Sequence, residues 1–250
     1  MSLMVSFAKA DGHETFTGGL DPNAPINVQV QVCTLNPGKT QAQYDRMVNK
    51  YFEWAKKYDV ETTFVRQTPF LTHANPNNPN NYDFIEFLVS DFETAGKGWD
   101  LWMSTPDGQK LNEEWLSLAS CDIKMAALNM QWAKVDELNS DDERIVVWNW
   151  CSKKEGVSSE QLIAKHDSIA EEYSDGLGNI GWATFHPIVG GANAPGDFAH
   201  IVVYPDMKGL MEHQEWFAGG GWKARSDYYI YAECRGDEAF VETIMNRPES

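Results

Sequence analysis

The chain has 250 residues, 42% of them apolar and 12% aromatic, enough to bury about 70% of its unfolded surface in one large or two modest cores. A formal net charge of −17 with a pI near 4.6 repels phosphate backbones, so nucleic acid and anionic membranes are not expected partners. No run approaches the roughly 18 apolar residues of a membrane-spanning helix.

Residues 1–25 read as an N-terminal extension. Leu3 to Ala8, with Ala8-Lys9-Ala10 ahead of Asp11, has the form of a shortened secretory leader, which leans towards export; an ordinary vector-like start in a cytoplasmic protein fits the same residues. From Asn27 to Cys33, Val28, Val30 and Val32 alternate with Gln29, Gln31 and Cys33, the period of a strand. Thr40-x-x-Gln43 then fits a capping box, and Tyr44, Met47, Val48, Tyr51, Ala55 and Tyr58 continue as a helical stripe. A strand ending at Pro69 follows, then the polar loop Asn75 to Asn81 and an apolar strand from Asp83 to Ser90. A weaker helix covers Asp91 to Met103, with Ser90-x-x-Glu93 as its capping box, and Trp115 to Cys121 reads as a last strand.

The same order returns further along. At an offset of 118 residues Cys33 meets Cys151, Gly38 meets Gly156, Thr40 meets Ser158, Gln43 meets Gln161 and Pro69 meets Pro187. After a four-residue difference in loop length, Asp83-Phe84 meets Asp197-Phe198 and Asp91 meets Asp206, while Cys121 falls near Cys234. The copies are a strand Ile145 to Cys151, a helix with Leu162, His166, Ile169, Ala170 and Tyr173, strands ending at Pro187 and running Asp197 to Tyr204, a helix Asp206 to Phe217, and a strand Tyr228 to Cys234. The expected organisation is a first repeat at 26–138, a charged joint at 139–143, and a second repeat with its tail at 144–250.

Several familiar motifs fail on context. Gly38-Lys39-Thr40 opens a helix after a strand, but Cys33 stands where a phosphate-binding loop needs glycine, and the second copy replaces Lys39 by Val157. Gly176, Gly178 and Gly181 have dinucleotide-fingerprint spacing but lie after a helix and before a strand, the reverse of the required order. Gly219-Gly220-Gly221 likewise reads as a tight connection before a strand. No zinc or serine-hydrolase motif occurs, and no metal site is expected.

Each half has the order β-α-β-β-α-β, which defines an α+β fold of two tandem ferredoxin-like repeats. Two such antiparallel sheets packed together as a pseudo-twofold α/β barrel resemble the dimeric α/β-barrel superfamily with both subunits fused into one chain. Side-by-side independent domains are the alternative arrangement. The resemblance implies a small-molecule site and chemistry such as cofactor-independent monooxygenation, isomerisation or haem handling, with His200, His186 or His73 as axial ligands if haem binds. It leaves the cofactor and the oligomeric state open.

Faces turned away from the helices would line a shared interior. On this reading Gln31 and Asn149 are counterparts facing it, as are Glu86 and His200, and Glu86 with His200 form a candidate acid/base pair. The other reading of these polar groups is an internally satisfied network. His186 and His73, each present in one copy only, are candidate ligand contacts, and His166 is a packed or boundary residue. Trp148, Trp150 and Trp182 could wall a pocket for a small aromatic or hydrophobic ligand; core packing is the competing explanation.

Cys33, Cys121, Cys151 and Cys234 fit disulfides in an oxidising compartment, with three connectivities open, or buried free thiols. Pairing within each half would close loops of about ninety residues, worth roughly 4 to 5 kcal/mol. Each cysteine is read near the C-terminal end of its strand, and antiparallel register would then separate the members of a half. An exported or cytosolic binding protein with a filled interior, presenting loops such as Asn75 to Asn81, is the alternative to an enzyme.

Overall fold

The computed structural model describes residues 15–248 except 17, 75, 76, 78, 79 and 174–176. The leader-like stretch, Gly176 and part of the Asn75–Asn81 loop therefore lie outside the described residues.

The strands are β1 (Ile26–Leu35), β2 (Thr63–Leu71), β3 (Phe84–Ser90), β4 (Ala119–Ala133), β5 (Glu143–Lys153), β6 (Gly181–Pro187), β7 (Phe198–Tyr204) and β8 (Ala232–Asn246). The helices are α1 (Gln41–Tyr58), α2 (Phe92–Ser104), α3 (Pro106–Leu118), α4 (Val135–Ser140), α5 (Ser159–Tyr173), α6 (Met207–Trp216) and α7 (Trp222–Tyr228). All strand pairs are antiparallel, and the order β1-β3-β2-β8-β5-β7-β6-β4 closes into one barrel. Closure depends on two long strands. β4 pairs with β1 through its first part and with β6 through its second, while β8 joins β5 to β2. Independent side-by-side domains are thereby excluded, because the strands of the first half join those beyond residue 143 at two places, β2 with β8 and β4 with β6.

The expected caps form. The Thr40 side chain accepts from the Gln43 amide while the Gln43 side chain accepts from the Thr40 amide, and Ser158 and Gln161 repeat the exchange at α5. The second helix of the first half starts one residue later than the sequence suggests. Asp91, not Ser90, is the cap, its carboxylate accepting from the Thr94 amide at 2.7 Å.

Two boundaries differ more. Trp115 belongs to α3, which Thr105 caps with Pro106 as its first residue, and the strand starts at Ala119 and runs on to Ala133. Tyr228 likewise ends a helix. Gly219-Gly220-Gly221 lies in a π-turn, Gly220 having φ 133°, that joins α6 to α7 and not to a strand. Gly178 has φ 73°, and a side chain there would strike the Gly209 carbonyl, so the pair of glycines lets the loop before β6 press against the start of α6.

The longer last strands settle the cysteines. Cys121 lies near the beginning of β4 and directly opposite Cys33; Cys234 near the beginning of β8 faces Cys151. Disulfides Cys33–Cys121 and Cys151–Cys234 form, with Cα separations of 4.1 and 4.0 Å. The expected mismatch of register arose from placing these strands too early.

The barrel lumen is full. Val28, Val30, Val65, Phe87, Ala126, Val146, Trp148, Phe185, Ala199, Ile201, Phe240 and Ile244, drawn from all eight strands, form one buried cluster with Trp150 packed against it. Each such side chain removed from water contributes about 1.5–3 kcal/mol if large. A polar patch accompanies it: Trp148 donates to Gln67, and Gln67 donates to Glu242 at 2.7 Å, with Arg144 paired to the same carboxylate. The opposite strand faces carry helices, and the two spaces between helices and barrel wall hold the cavities.

Candidate functional site

Strand parity dictates which side chains reach those spaces. Because Val28, Val30 and Val32 point inward, Gln29, Gln31 and Cys33 must point out towards the helices, and the register Gln31↔Glu86 carries Glu86 with them. The same parity puts Asn149 and His200, partners on β5 and β7, under the second set of helices. The sequence reading had these residues inside the barrel. It had the faces reversed, since period-two alternation does not say which side is enclosed.

Glu86 and His200 consequently do not meet. Glu86 is fully buried under α1, its carboxylate accepting from Arg66 Nε at 3.0 Å and Nη2 at 2.7 Å, and from the Tyr44 hydroxyl at 2.7 Å. Trp115 donates to the Tyr44 hydroxyl, and Arg66 also donates to Asp45. Burial pushes the Glu86 carboxyl up, with Arg66 and Tyr44 pulling the other way. Burial also works against the Arg66 charge, but Glu86 and Asp45 outweigh it. With its oxygens so engaged, Glu86 anchors the α1–β2–β3 layer.

His200 faces a cavity of about 450 Å³ bounded by β5, β6, β7 and β8 below and by α5, α6 and α7 above. One wall is a directed chain of hydrogen bonds. The Trp182 indole donates to His200 Nδ1 at 3.0 Å; an indole nitrogen can only donate, so this imidazole nitrogen carries no proton. The proton of His200 therefore sits on Nε2, 2.8 Å from the Tyr228 oxygen, which leaves the Tyr228 hydrogen available to His166 Nε2, 2.9 Å away. A second proton cannot enter His200 without breaking the bond from Trp182. Burial lowers the affinity further, holding His200 well below the ordinary imidazole range, with His166 and His186 adding to the effect. His166 is pulled down to about 4, by burial first and His186 second, and burial raises the Tyr228 hydroxyl.

Around this wall the cavity is aromatic, and two of its three cations are paired. Trp216, Tyr173 and Tyr204 line it, Arg225 is matched by Asp237 at 2.6 Å, and Lys165 by Asp227 at 2.6 Å. Asn149 donates to Asp237 and accepts from the Gly236 amide, which fixes the floor. His213 also lines the cavity, between Tyr204 and Trp216, and its Nδ1 is buried with no hydrogen-bond partner among the described residues. Burial, then Arg225 against an opposing Asp237, keeps its proton affinity low.

The remaining candidates separate. Trp182 reaches the cavity, but Trp148 and Trp150 point into the lumen, so the three tryptophans do not form one pocket. His186 is half-buried, touches the Thr184 hydroxyl at 3.3 Å and stacks on Phe198. His73 is exposed beside Glu238. Gln31 lies with Glu86 in a smaller cavity over the first half. His166, read as a packing residue, Tyr228 and His213 are the contributors the sequence did not single out. Their spacing carries no motif, because the residues that meet here come from α5, β7, α6 and α7. Cys151, His200 and Cys234 also lie within reach of one another, but the two sulfurs are bonded to each other.

No family model and no curated protein matches the sequence. Solved structures do. The chain is similar to a candidate chlorite dismutase (TM-score 0.54, 14% identity, 88% of this chain and 96% of that one) and to a candidate monooxygenase of Fusobacterium nucleatum (TM-score 0.51, 11% identity, 90% and 94%). It is also similar to an anthrone oxidase-like protein (TM-score 0.51, 8% identity, 89% and 92%). Identities this low show the fold alone. That fold is the dimeric α+β barrel, here closed by the eight strands of a single chain.

Proposed function

We propose that this protein binds a flat, conjugated small molecule in the cavity over β5–β8 and acts on it as an enzyme of the monooxygenase-like or haem-handling kind. The observation that carries the reading is the Trp182–His200–Tyr228 chain, backed by His166, forming one wall of an aromatic cavity of about 450 Å³, while the lumen is filled. Both imidazoles resist protonation, Lys165 and Arg225 are matched by Asp227 and Asp237, and Lys223 is balanced in number by Glu172, so the lining carries no net charge. A flat ring system would gain apolar contact there with Trp216, Tyr173 and Tyr204.

Haem is the group the fold resemblance implies. Of the nitrogens lining this cavity, His213 Nδ1 would be the one to hold it, being buried and without a partner among the described residues, whereas His200 would first have to release Trp182 or Tyr228. Bound haem would supply redox and oxygen chemistry. The protein's own residues would orient the ring plane and keep water out.

The repeated β-α-β-β-α-β order supports a fused duplication with pseudo-twofold symmetry and halves at 26–138 and 144–250. Two disulfides support residence in an oxidising compartment, in line with export. No helix among the described residues is long and apolar enough to cross a membrane. A non-catalytic binding protein is the second reading, favoured by the filled lumen and by the saturated Glu86 cluster.

Visible absorption and native mass of the purified protein test the proposal, followed by titration with haemin and with a neutral naphthoquinone while tryptophan fluorescence is read. Saturable quenching that Tyr228→Phe or His213→Ala weakens about tenfold is expected. Quenching unchanged in both variants, or no binding of either probe together with a bare native mass, would overturn it.

A further inference from the structure

The first half holds a second, smaller cavity of about 80 Å³, between β1–β3 and helices α1, α2 and α3. Its floor at one end is polar. Asn27, Gln29 and Gln31 project from alternate positions of β1, all at least nine-tenths buried, and Ser90 sits opposite Asn27 in the sheet register. None of this is required by packing, because helices over a sheet are ordinarily met by apolar side chains.

Four buried polar atoms of residues lining the cavity have no hydrogen-bond partner among the described residues: the nitrogen donors Asn27 Nδ2, Trp54 Nε1 and Trp99 Nε1, and the Thr62 hydroxyl oxygen. Asn27 is 5% exposed and Trp54 4% exposed, so neither residue is served by bulk solvent. An indole nitrogen can only donate, and a buried donor without an acceptor costs about 1–3 kcal/mol. The three nitrogen donors, on β1, α1 and α2, are met by no oxygen of the described residues, Thr62 Oγ1 included, and so favour an oxygen acceptor supplied by a ligand.

The surroundings specify the acceptor's charge. Arg66, the nearest buried cation, is already bound by Glu86 and Asp45. The fully buried Glu86 lines the same cavity, and a second carboxylate would meet its repulsion with no free cation to offset it. Tyr51, Trp102 and Phe64 supply an aromatic wall. Above them α2 has no fully buried residue, and a side-chain carbon at Gly98 would meet only Val60 at 3.8 Å, so the roof is loosely seated and offers an entry.

We infer that this cavity is a second binding site, for a small uncharged carbonyl compound whose oxygen accepts from Asn27, Trp54 and Trp99. It is independent of the larger cavity, shares no lining residue with it, and stands whether or not that reading holds.

The test is a titration of the ¹⁵N-labelled full chain with cyclopentanone, and with acetate as the charged control. The indole N–H resonances of Trp54 and Trp99, assigned through Trp54→Phe and Trp99→Phe, are followed. Saturable downfield movement of both with cyclopentanone is expected, absent with acetate, and at least tenfold weaker in Asn27→Leu. Asn27→Ser, which keeps a polar side chain, provides a check should the leucine variant fail to fold, and is expected to bind several-fold more weakly. Overturning results are indole resonances that do not move, movement equal for acetate, affinity unchanged in both Asn27 variants, or magnetisation transfer from long-lived water with no response to the ketone, which would make this a water site only.

Discussion

Acidification from pH 7 to 4.5 should cost this protein stability through one imidazole in particular. His166 is 5% exposed, shares a hydrogen bond with the Tyr228 hydroxyl, and is held near pKa 4 against 6.5 for an ordinary histidine. Above pH 6.5 the ring is neutral in both the folded and unfolded chain. Between 6.5 and 4 the unfolded chain takes up a proton that the folded chain refuses, so the stabilisation is fully present above 6.5 and is lost as the pH falls towards 4. A gap of about 2.5 units at 1.36 kcal/mol each gives about 3 kcal/mol, of which most is gone by pH 4.5. Urea unfolding of the disulfide-intact protein at the two pH values, beside His166→Gln, isolates this contribution, because carboxylates common to both proteins cancel. The wild type should lose about 2–3 kcal/mol more than the variant on acidification. Equal losses would show that His166 is not held neutral by its surroundings and would remove the directed hydrogen-bond chain from the site.

Two further expectations concern the first half. Replacing Cys33 and Cys121 together by serine opens a loop spanning 88 positions and should cost about 4 to 5 kcal/mol in denaturant titration, and non-reducing peptide mapping should recover Cys33 with Cys121 and Cys151 with Cys234. Any cross-half peptide pair would contradict the register of β1 with β4. Glu86→Gln leaves Arg66 short of its buried counter-charge and should destabilise by about 3 kcal/mol, measured by chemical denaturation, with ligand quenching at the larger cavity retained. Loss of that quenching in a folded variant would tie Glu86 to the second half after all.

Some of the site was legible in the chain and some was not, for reasons that particular residues make plain. Val28, Val30 and Val32 announced a strand, but a strand's two faces are equivalent by period, and only the closure of eight strands decided that the valines fill the lumen and that Gln31 and Glu86 face helices. Asn149, His200 and Trp182 were singled out as polar or aromatic residues on strands and do reach the larger cavity. His166, Tyr228 and His213 could not be grouped with them, since each looks like an ordinary helix residue until α5, α6 and α7 are laid over the sheet.

What the sequence determined by itself is local. Thr40 with Gln43 and Ser158 with Gln161 set the starts of two helices because a side chain and an amide three residues apart satisfy each other without help from the rest of the fold. Asp91 needed the structure to displace Ser90, as both offer an oxygen to the same turn. The pairing of the cysteines, the emptiness or fullness of the barrel and the meeting of His200 with Tyr228 depend on strand register and on β4 and β8 each bridging two neighbours. Those are contacts between residues far apart in the chain, 175 positions for Gln67 with Glu242, and no local spacing encodes them.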